Sequence, residues 1–167
     1  MGPGHAVESM MNSRIEHWHN PAAPEANSLT PASNLLVVNQ FGRILLQRRR
    51  DTGQWALPGG KQELGETPSQ CAVRECQEET GVLAEITGLL GVYSDPAHLI
   101  EYTSDGEVRQ EYEVTLLGRP VAGMPTANEE ASEVRWVSSD EITNYDIHPT
   151  MRRQINDYLI ASFPVVD

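Results

Sequence analysis

Lysine, cysteine and long apolar runs are scarce in this sequence, and each shortage excludes a class of protein. Lys61 is the only lysine; the other eleven positive charges are arginines, against 24 acidic residues, so the formal net charge is −12. Such a chain lacks the basic stripe that a long nucleic-acid backbone requires. It can still bind a small anionic substrate, because a bound metal ion supplies local positive charge. We therefore expect no nucleic-acid polymer as a partner.

The few cysteines and the lack of an apolar segment bear on where the protein works. Cys71 and Cys76 stand five residues apart on a predicted helix, so they point in well-separated directions and cannot bridge each other. The N-terminus has no uninterrupted apolar segment of the signal-peptide kind, and no stretch approaches the length of a membrane span. We expect a cytoplasmic protein without a membrane partner.

The length and composition indicate one globular domain preceded by an arm. The 167 residues are 39% apolar and 22% charged, which is ordinary for a globular chain. Residues 1–30 lack periodicity, and we interpret them as an N-terminal arm, partly ordered or left over from recombinant expression. Within it, HWHN (residues 17–20) could bind a metal, but an arm that packs Trp18 on the domain is the interpretation we favour. Residues 31–163 form the domain.

Turn signals divide the domain into strands around a central helix. NLLVVN and RILLQRR flank residues 40–42 and predict a hairpin, and a second hairpin is predicted around Asp105 and Gly106. VLAEITGLLGVYS predicts one long or bent strand, EVRWVS predicts a last strand, and residues 149–162 predict a closing amphipathic helix. Internal repeats are lacking. This order predicts an α/β fold in which a mixed sheet carries helices on both faces.

The central helix is predicted over residues 68–80. Thr67 is a good N-cap, Pro68 takes the first helical position, and Gln70 completes a capping box. Gly81 supplies the left-handed residue at which helices commonly end.

Three glutamates crowd the C-terminal half of this helix, where the helix dipole disfavours carboxylates. Glu75 and Glu79 are a like-charge pair one turn apart. Glu79 lies nearest the apolar face and should be the least solvated, and Arg74 can hold Glu78 by a charged hydrogen bond. An acidic face turned to water would be supported by interleaved lysines, which are lacking here. A divalent cation explains the cluster better, since Mg²⁺ binds one or two carboxylates together with substrate phosphates.

The spacing of these residues resembles the Nudix box, G-x5-E-x7-R-E-U-x-E-E-x-G-U, in which U is aliphatic. Gly60, Glu66 and the nine residues from Arg74 to Val82 match every fixed polar and glycine position. The single departure is Cys76, a small apolar side chain where an aliphatic one is usual. WALPGG (residues 55–60) and EVRWV (residues 133–137) also look like the family, so the resemblance covers roughly residues 31–160.

The resemblance implies a Nudix-type α/β/α sandwich and Mg²⁺-dependent hydrolysis of a nucleoside diphosphate linked to another moiety, with the ADP-ribose or nucleotide-sugar type favoured. Glu78 and Glu79 match the family's principal metal-binding carboxylates, and Glu75 matches a further ligand or proton acceptor. Gly60 offers a backbone carbonyl to the metal, and Arg74 orients a glutamate of the box. Mn²⁺ is an alternative to Mg²⁺, and a homodimer is a family-level expectation.

The general base is expected outside the box. A carboxylate must take the proton of the attacking water, whose pKa a metal ion lowers. Glu130, six residues before Trp136, is the leading candidate, because related hydrolases often carry a glutamate there. The competing candidates are Glu129, Glu133, Glu111 and Glu113.

Substrate contacts are less sharply indicated. Strand alternation places Arg48 and Arg50 on one face and Arg49 on the other. We assign the phosphates to Arg48 and Arg50, since guanidinium groups bind them bidentately, although a solvated strand edge is an equal alternative. His98, in a loop between strands, is a candidate polar contact. The candidate stacking surface for a base or sugar is Trp55, with Tyr93, Tyr102 and Tyr112 as alternatives that could equally belong to the core.

Two other functions fit the same motif. One is the removal of mutagenic nucleotides of the 8-oxo-dGTP type, because the box specifies the chemistry and not the leaving group. The other is a Nudix domain that senses nucleotides without cleaving them; such domains usually carry a degraded box, and the box here is intact. An isopentenyl diphosphate isomerase shares the fold but not the unbroken, hydrolase-like box.

Overall fold

The structure, a computed structural model, describes residues 14–167. In this part of the chain it contains ten strands, two α-helices and one 3₁₀ turn, Ile142–Asn144. The elements in chain order are β1 (Arg14–Trp18), β2 (Ser28–Val37), β3 (Ile44–Arg49), β4 (Trp55–Ala56), β5 (Gly59–Lys61), α1 (Pro68–Thr80), β6 (Val82–Tyr93), β7 (His98–Tyr102), β8 (Glu107–Gly123), β9 (Ala131–Val137), α2 (Pro149–Leu159) and β10 (Val165–Val166).

The strands form two sheets. The larger has seven strands in the order β1-β7-β8-β2-β5, with β6 paired to β8 and to β10. It is mixed, because β2 runs parallel to β8 and β10 parallel to β6, whereas its other pairs are antiparallel. The smaller sheet is antiparallel, with the order β4-β3-β9.

A turn is present at residues 40–42 as predicted, but the predicted pairing of the two flanking strands is wrong. The chain does reverse there: Asn39 N–H donates to the Arg43 carbonyl at 3.0 Å, and Gly42 takes a φ of +74°. However, only an isolated bridge between Val38 and Ile44 joins the two segments. Because β2 is an interior strand, bonded to β8 on one side and β5 on the other, β3 leaves to build the second sheet with β4 and β9.

The other predicted elements are confirmed. α1 begins at Thr67, whose hydroxyl accepts the Gln70 N–H at 3.2 Å while the Gln70 side chain accepts the Thr67 N–H at 2.9 Å, and it ends at Gly81 with a φ of +77°. β7 and β8 form the hairpin around Asp105 and Gly106. Cys71 and Cys76 on α1 are free thiols. Within residues 14–167, no helix is long and apolar enough to cross a membrane.

The sheets lie between the two helices, which confirms the α/β/α sandwich. Alternate residues of β2 serve opposite sides: Leu35 and Val37 pack in the core beneath α1, and Leu36 packs in the core beneath α2. β3 divides in the same way, with Leu45 on the α1 side and Ile44 and Leu46 on the α2 side.

The segment before residue 31 contributes to the larger sheet. Arg14–Trp18 pairs with β7, and β2 begins at Ser28. The Trp18 ring meets His98 edge-on, with 5.7 Å between ring centroids, and His17 bonds the Glu101 carboxylate at 2.8 Å. The division of the chain at residue 31 stays a prediction, and residues 1–13 of the predicted arm lie outside the described residues.

Candidate active site

A cleft of about 480 Å³ lies on the face of the larger sheet that is turned away from α1. Alternation along two neighbouring strands supplies its floor. The residues that face it are Thr30, Ala32 and Asn34 on β2 and Arg109, Glu111 and Glu113 on β8. Glu75 and Glu79 of α1 reach the same cleft beside β5, whereas Glu78, the third carboxylate predicted as a metal ligand, does not line it.

Glu79 is the buried member of the glutamate cluster, as the helix periodicity predicts. Its side chain and backbone together are 4% exposed. One carboxylate oxygen accepts the backbone N–H of Gly59 at 3.1 Å, and the other accepts the side-chain amide of Gln47. Burial raises the pKa of Glu79 to about 8; the Gln47 amide opposes this shift, and the adjacent Glu75 carboxylate adds to it.

Glu75 lies directly against the first glycine of the box. A Cβ atom built on Gly60 would stand 2.6 Å from the carboxyl carbon of Glu75, so any other residue there would force this carboxylate out of its position. The carbonyl of Gly60 accepts a hydrogen bond from the Cys71 thiol at 3.5 Å. Gly60 and Glu75 both line the cleft.

Arg74 holds three carboxylates of the box at once. Its guanidinium pairs with Glu66, donates to Glu75 at 2.8 Å, and donates to Glu78 at 3.2 Å. The bond from Arg74 and one from the backbone N–H of Glu63 hold the pKa of Glu66 below its usual value. Glu78 is the exposed member of the cluster, with 59% of its side chain accessible. Arg74 therefore fixes Glu75 and Glu78 from the side and does not itself line the cleft.

The donors at this end of the cleft, together with the neighbouring Glu78, fit a hard divalent cation. Glu75, Glu78, Glu79 and the Gly60 carbonyl offer only oxygen atoms, which is the ligand type that Mg²⁺ and Ca²⁺ prefer. Glu79 is buried, the Glu75 side chain beside it is only 15% exposed, and this proximity contributes to the raised pKa of Glu79. A cation between them would compensate both charges.

Glu130 lines the cleft and also an adjoining cavity of about 420 Å³ that contains Glu79. Its loop is tied to the end of α1 by Asn128, whose side-chain amide donates to the Glu79 carbonyl at 2.6 Å. The Asn128 side-chain oxygen accepts the Glu130 N–H at 2.9 Å. These bonds place the predicted general base on the same side of the molecule as the glutamate cluster.

The predicted substrate contacts separate into two groups. Trp55 and His98 line the cleft. Arg50 lines only the adjoining cavity, and its Nε donates to the Asn128 carbonyl at 2.9 Å. Arg48 lines neither: its Nε donates to the Gly53 carbonyl at 3.0 Å, and its guanidinium pairs with Glu133 at 3.2 Å. Arg49, on the opposite strand face, lines both cavities and pairs with Asp51 at 2.6 Å.

Sequence reasoning missed cleft residues that long-range pairing brings in. β1 contributes Arg14 and Glu16, and the third residue is His148, which caps the N-terminus of α2. His98 binds Glu16 through Nε2 at 2.7 Å, and His148 Nδ1 lies 3.2 Å from the same Glu16 oxygen. Nothing in the local sequence marks these residues as partners, because they are joined only by the pairing of β1 with β7 and the docking of α2.

Comparison with known proteins identifies the family to which this chain belongs. The model of the NUDIX domain matches residues 28–159. A putative 8-oxo-dGTP diphosphatase of Bacillus subtilis is 32% identical over 130 residues, which are 77% of this chain and 79% of that protein. An ADP-ribose pyrophosphatase of Methanocaldococcus jannaschii is 44% identical over 63 residues, which are 36% of this chain and 37% of that protein.

A solved structure gives the same fold. The NUDIX hydrolase from Nitrosomonas europaea superimposes with a TM-score of 0.66 at 24% identity, covering 80% of this chain and 90% of that chain. Nudix hydrolases generally use a divalent metal ion and act on small nucleotide substrates. The family match spans most of the chain, and it includes the glutamates that converge on the cleft. This chain therefore belongs to the Nudix family of pyrophosphohydrolases.

Proposed function

We propose that this protein uses Mg²⁺ to hydrolyse the pyrophosphate bond of a nucleoside diphosphate linked to another moiety, of the ADP-ribose or nucleotide-sugar type. One observation carries the proposal: the carboxylates of Glu75 and Glu79 open onto the same cleft as the arginines of three different strands. Those arginines are Arg14 on β1, Arg49 on β3 and Arg109 on β8. A metal end and arginine side chains in one cleft match the two needs of a substrate that carries a diphosphate, although each arginine is paired with a carboxylate in this structure.

The chain's own residues prepare the metal end. When bound, Mg²⁺ would neutralise diphosphate oxygens and lower the pKa of a bound water. The Gly59 N–H and the Gln47 amide hold Glu79, and Arg74 holds Glu75 and Glu78. Because these partners fix the carboxylates in advance, binding the cation costs little reorganisation.

Glu130 is our candidate for the proton acceptor. General-base assistance is typically worth about 10²–10⁴-fold, so positioning and charge neutralisation must supply the remainder of the rate enhancement. Glu130 lines the cleft without joining the glutamate cluster of α1, so its carboxylate remains free to take a proton from the attacking water. Arg49 and Arg50 are our candidates for phosphate contacts, because both line cavities that also contain Glu79.

The size and the far wall of the cleft support a substrate larger than a diphosphate. A volume of about 480 Å³ lies within the usual range for small-molecule sites. The Arg109 guanidinium lies 4.9 Å from the centre of the Tyr102 ring, which gives the cleft a flat surface away from α1. Trp55 also lines the cleft, but it is only 8% exposed and most of it packs in the core beneath α2. Such surfaces suit the stacking of a base or the binding of a linked sugar.

The second candidate function is hydrolysis of a damaged nucleoside triphosphate. It is favoured by the Bacillus subtilis relative, whose name gives 8-oxo-dGTP as its substrate and whose similarity extends over 77% of this chain. The two candidates share the metal end and differ only in what occupies the rest of the cleft.

A substrate panel separates them. The protein is incubated with ADP-ribose, UDP-glucose or 8-oxo-dGTP and with Mg²⁺ or Mn²⁺. Phosphate is measured after alkaline phosphatase for the first two substrates and after inorganic pyrophosphatase for the third. We expect the first two to be turned over faster. A clear preference for 8-oxo-dGTP would establish the second candidate in place of the first.

The matched variants test the metal ligands. Glu78→Gln and Glu79→Gln should abolish the Mg²⁺-dependent turnover, whereas Glu85→Gln, an exposed acid paired with Arg119, should leave it unchanged. Full activity in both box variants would refute the assignment. Nucleotide binding without turnover by the unaltered protein would refute the proposed hydrolysis.

A further inference from the structure

We propose that Glu16, His98 and His148 form a second metal site, on the wall of the same cleft, for a divalent cation of the Zn²⁺ kind. One ligand atom from each residue lies within 4.8 Å of the other two. Two imidazole nitrogens and one carboxylate oxygen are a donor set that suits Zn²⁺ and its neighbours better than Mg²⁺. The proposal is independent of the hydrolysis assigned above.

The three side chains converge from distant parts of the chain. Glu16 lies on β1, His98 begins β7, and His148 precedes α2. One oxygen of Glu16 lies 2.7 Å from His98 Nε2 and 3.2 Å from His148 Nδ1, and the two imidazole rings stack at 5.7 Å between centroids. Ligand atoms around a tetrahedral Zn²⁺ stand roughly 3.4 Å apart, so the Glu16 oxygen and the two nitrogens are near the required spacing and the cation needs only small movements of these side chains.

His148 Nδ1 has several possible partners at the proposed site. Besides the Glu16 oxygen, this nitrogen faces the backbone N–H of Thr150 at 3.3 Å and the Thr150 hydroxyl at 2.9 Å. Nδ1 has one lone pair, which can accept the Thr150 N–H or bind a cation, so a cation here would take over the lone pair that now caps α2. A cation bound by Nδ1 and the Glu16 oxygen would bridge two acceptor atoms that lie 3.2 Å apart.

The proposed site is separate from the glutamate cluster of α1. Glu16 precedes the residues matched by the family model, which begin at residue 28. The site therefore depends on a strand that lies outside the matched domain and extends the edge of the larger sheet through β7. Because Glu16, His98 and His148 all line the cleft, a coordination position left open by three protein ligands can face a bound substrate. A cation there would present positive charge to an anionic group of the substrate.

A structural role for the pair Glu16–His98 is the alternative, and the chain contains its matched control. His17 and Glu101 form a second histidine–glutamate pair across the same two strands, at 2.8 Å. Among the residues that the structure describes, no third metal-binding side chain joins that pair. If the contacts of Glu16 serve only to hold β1 on β7, substitutions in the two pairs should change Zn²⁺ binding equally.

The experiment uses the full chain with excess Mg²⁺, which occupies the hard site on α1. Zn²⁺ is titrated calorimetrically, and Co²⁺ is added separately as a spectroscopic probe. We expect one Zn²⁺ per chain and visible Co²⁺ bands of the strength typical of low-coordinate nitrogen–oxygen sites. Glu16→Gln, His98→Gln and His148→Gln should each weaken Zn²⁺ binding at least about 10-fold, since altering even the partners of metal ligands has effects of that size.

The remaining histidines and the matched acid are the controls. His5→Gln, His17→Gln, His19→Gln and Glu101→Gln should bind Zn²⁺ as tightly as the unaltered chain. Circular dichroism of the Mg²⁺ form checks that each variant folds, and should His98→Gln fail to fold, the Glu16 and His148 variants decide. Absence of stoichiometric Zn²⁺ binding, or equal losses in the His17 and His98 variants, would overturn the proposal.

Discussion

Glu79 accepts the backbone N–H of Gly59 at 3.1 Å, and this bond fixes a desolvated carboxylate of α1 against the first glycine of the GG pair. Burial raises the pKa of that carboxylate to about 8. The helix thus holds an acid that is costly to ionise at the place where a divalent cation would compensate its charge. Stability is sacrificed here for a binding site.

Replacing Glu79 by glutamine should stabilise the metal-free protein at high pH. The pKa of Glu79 is higher in the folded state than its ordinary value of 4.5, so the folded state binds the proton more tightly than the unfolded chain. The unaltered protein therefore loses stability as pH rises from about 4.5 to about 8. We expect Glu79→Gln to gain on the order of 2 kcal/mol of unfolding free energy near pH 9 in EDTA, and far less near pH 5. Urea denaturation measures both.

Glu78→Gln is the control for that experiment, because Glu78 is exposed. It should show no comparable gain at high pH. Adding Mg²⁺ should reverse the order, stabilising the unaltered protein and not Glu79→Gln, because a ligand that binds only the folded state stabilises it. A Glu79→Gln variant that is equally destabilised at both pH values would contradict this explanation of the buried acid.

Gly60→Ala should impair the metal site while leaving the fold intact. The new Cβ would stand 2.6 Å from the Glu75 carboxyl carbon, so that side chain must move away from its present position. We expect the Mg²⁺ concentration for half-maximal turnover to rise at least about 10-fold, with an unchanged circular dichroism spectrum. Gly88→Ala is the matched control, because its Cβ would meet only Leu117 at an ordinary 3.7 Å. Similar metal dependence in both variants would show that Glu75 does not need the space above Gly60.

Arg49, rather than Arg48, should contribute to substrate binding. Arg49 lines the cleft and the adjoining cavity, whereas Arg48 pairs with Glu133 outside both. A hydrogen bond to a charged group contributes about 1.5–3 kcal/mol, so Arg49→Gln should raise KM by about 10–100-fold. Arg48→Gln should change KM less than about twofold, since an exposed ion pair contributes little. Asp51→Asn controls for the loss of the Arg49–Asp51 pair. A large effect of Arg48→Gln would restore the sequence-based assignment.

The features that were predictable from sequence depend on nearby residues. Thr67, Gln70 and Gly81 determine α1 through contacts within one turn, and the fixed spacing along that helix brings Glu75 and Glu79 together. Glu79 is the glutamate nearest the apolar face around the helix axis, so its burial was also predictable from positions within α1.

The features that were missed depend on residues far apart in sequence. The turn at Gly42 was visible, but the departure of β3 to a second sheet depends on β5 and β8 having taken both sides of β2. Alternation separated Arg48 from Arg49, yet it could not say which face meets the cleft, because β9 pairs with β3 from elsewhere in the chain. Glu16 reaches His98 only through the pairing of β1 with β7.

Glu130→Gln should lower kcat by about 10²–10⁴-fold, the usual contribution of a general base, and leave KM nearly unchanged. Glu129→Gln is the matched control, because Glu129 lines only the adjoining cavity. The rival is Glu111, whose pKa is raised to about 7 by burial and by the neighbouring Glu113 charge, and which also lines the cleft. If Glu111 were the base, kcat of the unaltered enzyme would decrease as the pH is lowered through about 7, because the base becomes protonated. Glu111→Gln would then remove both the activity and this decrease at low pH. A loss of kcat confined to Glu111→Gln would therefore show that the general base is Glu111 on β8 and not Glu130 in the loop before β9.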